Sequence, residues 1–138
     1  MTSTALSPII ASLYVALGGA AGSLLRYQIG RAAGYFVGPA SGFPWATLAI
    51  NVVGSLAMGV LLGWLAKSNQ SAPMAEAWRL AVGVGVLGGF TTFSAFSAEM
   101  VTLVHRGMIL QCFAYGASSL LAGMAAFLIG LVLIQSAP

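Results

Sequence analysis

The run from Trp78 to Val104 is apolar and long enough to cross a bilayer, yet its middle reads Gly88-Gly89-Phe90-Thr91-Thr92-Phe93-Ser94-Ala95-Phe96. Glycine weakens a helix, and adjacent hydroxyls offer the backbone other partners. This spacing predicts a membrane helix broken near the bilayer midplane. Backbone broken at that depth is tolerated only where protein or a polar cavity surrounds it. Two readings fit. One is an ion or substrate site at the break. The other is a close-packing Gly/Thr seam between helices.

The class follows from the scarcity of charge. The chain is 59% hydrophobic and 5% charged, where a soluble domain carries about a quarter charged residues. It is therefore read as an all-α integral membrane protein, a single transmembrane domain over residues 1–138. Four apolar runs give spans at about residues 9–30, 44–66, 78–104 and 108–134. The net charge of +3 is scattered and forms no Lys/Arg cluster, which speaks against a nucleic-acid partner. Cys112 is the only cysteine, His105 the only histidine, and Glu76 and Glu99 the only carboxylates. One chain thus lacks the groups for an internal disulfide, a standard metal cluster or paired-carboxylate catalysis, and no enzyme is expected. No charged n-region or small-residue cleavage site precedes the first apolar run, so no removable signal peptide is expected.

In chain order, Met1 to Ser7 reads as a short polar tail. Gly18, Gly22 and Arg26 share one face of the first span, with Arg26 near its end. Arg26 reads either as an interfacial anchor or as a cation at an anion's entrance. Arg31 to Phe43 reads as a glycine-rich link containing Pro39. Pro44 and Trp45 open the second span, in which Thr47, Asn51 and Ser55 form one polar stripe. Asn51 suits either an interhelical bridge or a donor to an anion. Lys67 to Ala77 reads as a polar loop. Phe93 and Phe96 follow the break on roughly one face, and Thr92, Phe96 and Glu99 continue that side. They flank the start of a half-helix whose N-terminal dipole favours negative charge. His105, Arg106 and Gly107 read as a tight turn. Tyr115, Ser119 and Gly123 form a second stripe on the fourth span.

Four spans put both termini on one side. That side holds Lys67 and Arg79, and the other holds Arg26, Arg31 and Arg106. Two against three is almost no orientation signal, so insertion both ways and an antiparallel homodimer are expected.

Three ordered motifs carry a resemblance over essentially the whole chain. They are Gly18-Gly19-Ala20-Ala21-Gly22 with Arg26-Tyr27, then Thr47 through Ser55, then Gly88 through Phe96. Together they resemble the Fluc/CrcB family of fluoride channels. The resemblance implies a dual-topology antiparallel homodimer in the bacterial cytoplasmic (inner) membrane. It also implies two fluoride pores and passive export of fluoride. Phe93 and Phe96 would face fluoride, and Asn51 would donate a hydrogen bond in the pore. Tyr115 and Ser119 would line the path, Thr92, Ser94 and Glu99 would belong to its polar track, and Arg26 would stand at the vestibule. Main-chain carbonyls of Gly88 and Thr91 from both subunits would hold a structural sodium ion at the dimer centre. This chain departs from the family's Thr-Phe-Ser-Thr-Phe at Ala95, which lacks a hydroxyl.

Two other functions are weighed against it. A small dual-topology proton-coupled multidrug exporter needs an ionisable group deep in a span, and Glu99 is the one candidate. A non-transporting membrane assembly protein accounts for the glycine seams but not for the donor stripes.

Overall fold

A computed structural model describes residues 6–37 and 42–137, and all regular structure among them is helical. The expected tail at residues 1–5 and the Pro39 part of the link lie outside the described residues. Four helical segments are long and apolar enough to cross a membrane, and the protein is a multi-pass integral membrane protein. Leu110, Ile9 and Phe113 are 83%, 75% and 73% exposed, as lipid-facing side chains are.

Helix α1 (Pro8–Val37) runs past the expected end of the first span, so residues 31–37 are helix and not link. Ala32 and Ala33 are strong helix formers, and Arg31 lies over the Tyr27 ring one turn back, 5.8 Å from its centroid. Helix α2 (Trp45–Lys67) starts directly after Pro44. Helix α3 (Ala72–Trp78) occupies most of the segment expected to be a polar loop. Pro73 is the reason. It stands in the first turn, where a missing N–H is harmless, and starts the helix instead of breaking it. Glu76 and Arg79 pair on the exposed side at 2.7 Å, which adds little at such exposure.

From Arg79 to Leu87 the third span widens into a π-type helix, its last turn marked by the Gly88 N–H bonding back to the Gly83 carbonyl. A short α4 (Gly88–Phe90) follows, then two extended residues, Thr91 (ψ 161°) and Thr92 (φ −151°), then α5 (Phe93–His105). The π stretch had no counterpart in the sequence reading. Helix α5 ends as expected at His105-Arg106-Gly107. Gly107 takes φ +72° and the Met108 N–H bonds back to the Leu103 carbonyl, a helix stop that favours glycine. Helix α6 (Ile109–Ser136) completes the chain.

Two helix pairs result. Helix α1 packs on the π stretch and α4, while α2 packs on α6. Both seams bring backbone against backbone. A Cβ on Gly22 would stand 2.0 Å from the Val86 carbonyl oxygen, and one on Gly18 would stand 2.2 Å from that of Ala81. On the other seam, a Cβ on Gly59 would stand 2.0 Å from the Phe127 oxygen. Lipid tails are as apolar as leucine, so close packing of this kind holds membrane helices together.

Candidate functional site

The polar residues gather where α2, α5 and α6 meet. On α2, Thr47 donates from its hydroxyl to Glu99 Oε1 at 2.7 Å. On α6, the Tyr115 hydroxyl donates to Glu99 Oε2 at 2.6 Å. Glu99 stands on α5, so its carboxylate joins three helices. The sequence reading placed Glu99 on the polar track and made it the one candidate ionisable group within a span. It is half-buried, and both its oxygens accept hydroxyls. Tyr115 is fully buried, with the rings of Phe96 at 5.0 Å and Phe43 at 5.5 Å.

One turn further along the same helices a groove opens, lined by Asn51, Ser55, Thr91, Thr92, Phe93, Phe96, Gly116, Ser119 and Leu120. The two stripes thus face each other, with Ser55 opposite Gly123 further along. Ser119 Oγ is buried without a hydrogen-bond partner among the described residues. A buried donor without a partner is costly, and such groups in a groove are available to a ligand. Phe93 is 79% exposed, and its ring centroid is 5.8 Å from that of Phe96. The groove holds about 330 Å³, roughly ten times the ~30 Å³ share of one water.

The break is held by side chains. Thr91 turns both its N–H and its Oγ1 onto the Leu87 carbonyl, each at 2.9 Å. Thr92 Oγ1 accepts the Ala95 N–H at 3.2 Å and so caps α5, with Ser94 Oγ 3.3 Å away. Asn51 bonds the Thr92 backbone twice. Its Oδ1 accepts the Thr92 N–H at 2.9 Å, and its Nδ2 donates to the Thr92 carbonyl at 3.0 Å. From α1, Ser23 Oγ reaches the Gly89 carbonyl at 3.5 Å.

Of the residues singled out from sequence, Asn51, Thr92, Phe93, Phe96 and Ser119 line the groove. Tyr115 and Glu99 stand in the cluster beside it. Ser94 is exposed at the start of α5, Gly88 and Thr91 are at the break, and Arg26 on α1 is not among the lining residues. Thr91 as a lining residue and Thr47 as the partner of Glu99 were not assigned such roles. The i, i+4, i+8 stripe marked Thr47, but no sequence signal pairs it with Glu99.

Residues 13–131 match the family model described as CrcB-like protein, Camphor Resistance (CrcB). The chain belongs to the CrcB family. Among CrcB relatives, the "Fluoride-specific ion channel FluC" of Novosphingobium aromaticivorans is 52% identical over 125 residues, 91% of this chain and 96% of that protein. The one of Erythrobacter litoralis is 51% identical over 132 residues, 94% of this chain and 96% of that protein. That of Caulobacter vibrioides is 46% identical over 123 residues, 89% and 94% of the two chains. The matched region of this CrcB chain includes every groove residue, both stripes and the break.

Proposed function

We infer that this protein is a fluoride channel of the bacterial cytoplasmic membrane, giving passive export of fluoride and resistance to its toxicity. The observation that carries the reading is the set of relatives named fluoride-specific ion channels, matched over nine-tenths of the chain. The groove suits that ion. Fluoride is small and strongly hydrated, so a path for it must replace water with strong donors. Ser119 Oγ and the second N–H of Asn51 Nδ2 are such donors, and phenyl edges at Phe93 and Phe96 carry the weaker positive end of the ring quadrupole. Strong donors alternating with weak ones let an ion both enter and leave. Thr92, Ser94, Tyr115 and Glu99 continue the polar track, and Arg26 stands at its entrance. Glu99 accepts two hydroxyls and joins three helices, an arrangement less suited to a proton-coupled drug exporter's exchangeable carboxyl.

The working unit is an antiparallel homodimer, with the break of the third span near the bilayer midplane. A groove of about 330 Å³ is much larger than a dehydrated ion, and a second copy would narrow it. The exposed Phe93 ring supports this, because it would be covered there. Tags at either terminus are expected on both membrane faces. Uniform orientation in an accessibility assay rules out an antiparallel dimer of this chain with itself.

A sodium ion at the dimer centre fits the residues present. The Thr92 N–H, which in a continuous helix would bond the Gly88 carbonyl, goes to Asn51 instead. Thr91 is extended, which turns its carbonyl away from the helical direction. Carbonyls of Gly88 and Thr91 from two copies would give a hard monovalent cation oxygen ligands. When bound, the ion would screen the facing carbonyl dipoles and hold the copies together.

The direct test follows fluoride and chloride efflux from liposomes holding the purified protein, using ion-selective electrodes. Fluoride efflux at the rate of protein-free liposomes would reject the reading. Phe96→Ile keeps an apolar side chain and removes the ring edge. Aromatic pair contacts are worth about 0.5–1.5 kcal/mol, and a ring-edge contact of that order means fluoride flux drops by about two- to tenfold. A near-parental rate assigns Phe96 to packing against Tyr115 alone.

A further inference from the structure

The resemblance makes Asn51 a donor to the ion, but one donor and one acceptor position of its amide are taken up by the backbone of Thr92. The geometry points to Asn51 as a positioning residue: it holds the third span broken. In a continuous helix the N–H of Thr92 would close onto the carbonyl of Gly88. Asn51 Oδ1 takes that N–H at 2.9 Å, and Asn51 Nδ2 satisfies the Thr92 carbonyl at 3.0 Å. Both bonds come from another helix, 41 residues earlier in the chain. They work like the two edges of a base pair. The donor and acceptor of the amide cannot be exchanged, because the oxygen must meet an N–H and the NH₂ must meet a C=O.

Three effects follow. The Gly88 carbonyl is released from the helical ladder. The Thr92 carbonyl, an acceptor that would repel an anion in the groove, is turned toward α2 and neutralised. Thr92 is kept extended, so its hydroxyl can cap α5 through the Ala95 N–H, which fixes the first turn that carries Phe93 and Phe96. The amide is also locked so that one N–H of its Nδ2 is left for a ligand. The groove itself rests on the fluoride reading, but the positioning role does not depend on which ion passes.

Threonine-labelled protein in bilayers, observed by solid-state NMR, tests this without measuring flux. In the parent, Thr92 is expected to show extended Cα and Cβ shifts together with an amide that exchanges slowly with solvent. An amide there that exchanges as freely as an unpartnered one overturns the proposal with no variant needed. In Asn51→Ala the protected extended state is expected to be lost. Either exchange at Thr92 quickens by about tenfold or more, or its shifts become helical as the break closes. Asn51→Asp keeps an acceptor for the Thr92 N–H, so its Thr92 amide is expected to stay slow while amides later in α5 are unchanged in both variants. A general loosening of the fold would instead quicken all of α5. Slow exchange with extended shifts in Asn51→Ala overturns the positioning role. An Asn51→Ala protein that loses fluoride flux while Thr92 stays slow and extended would leave the channel reading intact and reduce Asn51 to a direct donor.

Discussion

Asn51→Asp is expected to abolish fluoride flux in reconstituted liposomes while the protein still elutes as a single folded species. Aspartate nearly matches asparagine in shape, but when ionised it only accepts hydrogen bonds. At this position the exchange does two things. The bond from Nδ2 to the Thr92 carbonyl is replaced by two facing acceptors. A fixed negative charge also enters the groove that Asn51 lines with Phe93, Phe96 and Ser119. Two like charges about 4 Å apart repel by ~4 kcal/mol at an effective dielectric of 20, which corresponds to a drop in flux of roughly a thousandfold. Efflux by fluoride electrode, with size-exclusion chromatography on the same preparation, measures both parts. Parental flux from a folded dimer would remove Asn51 from the ion's path.

Gly22→Val is expected to prevent assembly of the α1 half of the molecule. The nearest atoms to a Cβ at position 22 are the Val86 carbonyl oxygen at 2.0 Å and the Phe90 nitrogen at 2.8 Å. Both are backbone, so no side-chain rotation relieves the clash. Helix α1 would have to move off the π stretch and α4 together. Overpacking costs about 1–3 kcal/mol even where side chains can yield, and more is expected against main chain. The expected result is loss of the monodisperse species in detergent, or a melting temperature lowered by many degrees. Gly19→Ala is the control, because a Cβ at position 19 meets nothing within 4 Å. Equal behaviour of the two variants would show that the α1 seam is not what holds this half.

Much of this arrangement could be read from residue spacing. Charge scarcity and four apolar runs led to four helices because bilayer thickness leaves few other options. The stripes Thr47-Asn51-Ser55 and Tyr115-Ser119-Gly123 located the polar faces because helical periodicity is rigid. Spacing does not say which partner a polar group takes. Asn51 read as an interhelical bridge, the commoner case, or as a donor to an anion, and its pairing with Thr92 depends on how α2 crosses the third span. Glu99 read as part of the polar track, but spacing alone did not show that Thr47 and Tyr115 from two other helices meet it. Pro73 was taken for loop because proline serves both to end helices and to begin them. The widened stretch from Arg79 to Leu87 carries Gly83 and Gly85 but has no periodicity of its own to betray it.

The third span is shared between the two helix pairs. Its π stretch and α4 pack with α1, while α5 packs with α6. The chain crosses from one pair to the other at Thr91 and Thr92, which are extended and outside the helical ladder. In mechanical terms, two stiff rods are joined there by a short coupling, and the Asn51 amide is the pin that ties the coupling to the α2–α6 rod. A force that separates the pairs would load those two residues before it loaded any helix. Crosslinks or binders that grip α1 should therefore be felt first as a change at Thr92 and in the tilt of the Phe93 and Phe96 rings, well before either helix pair unpacks.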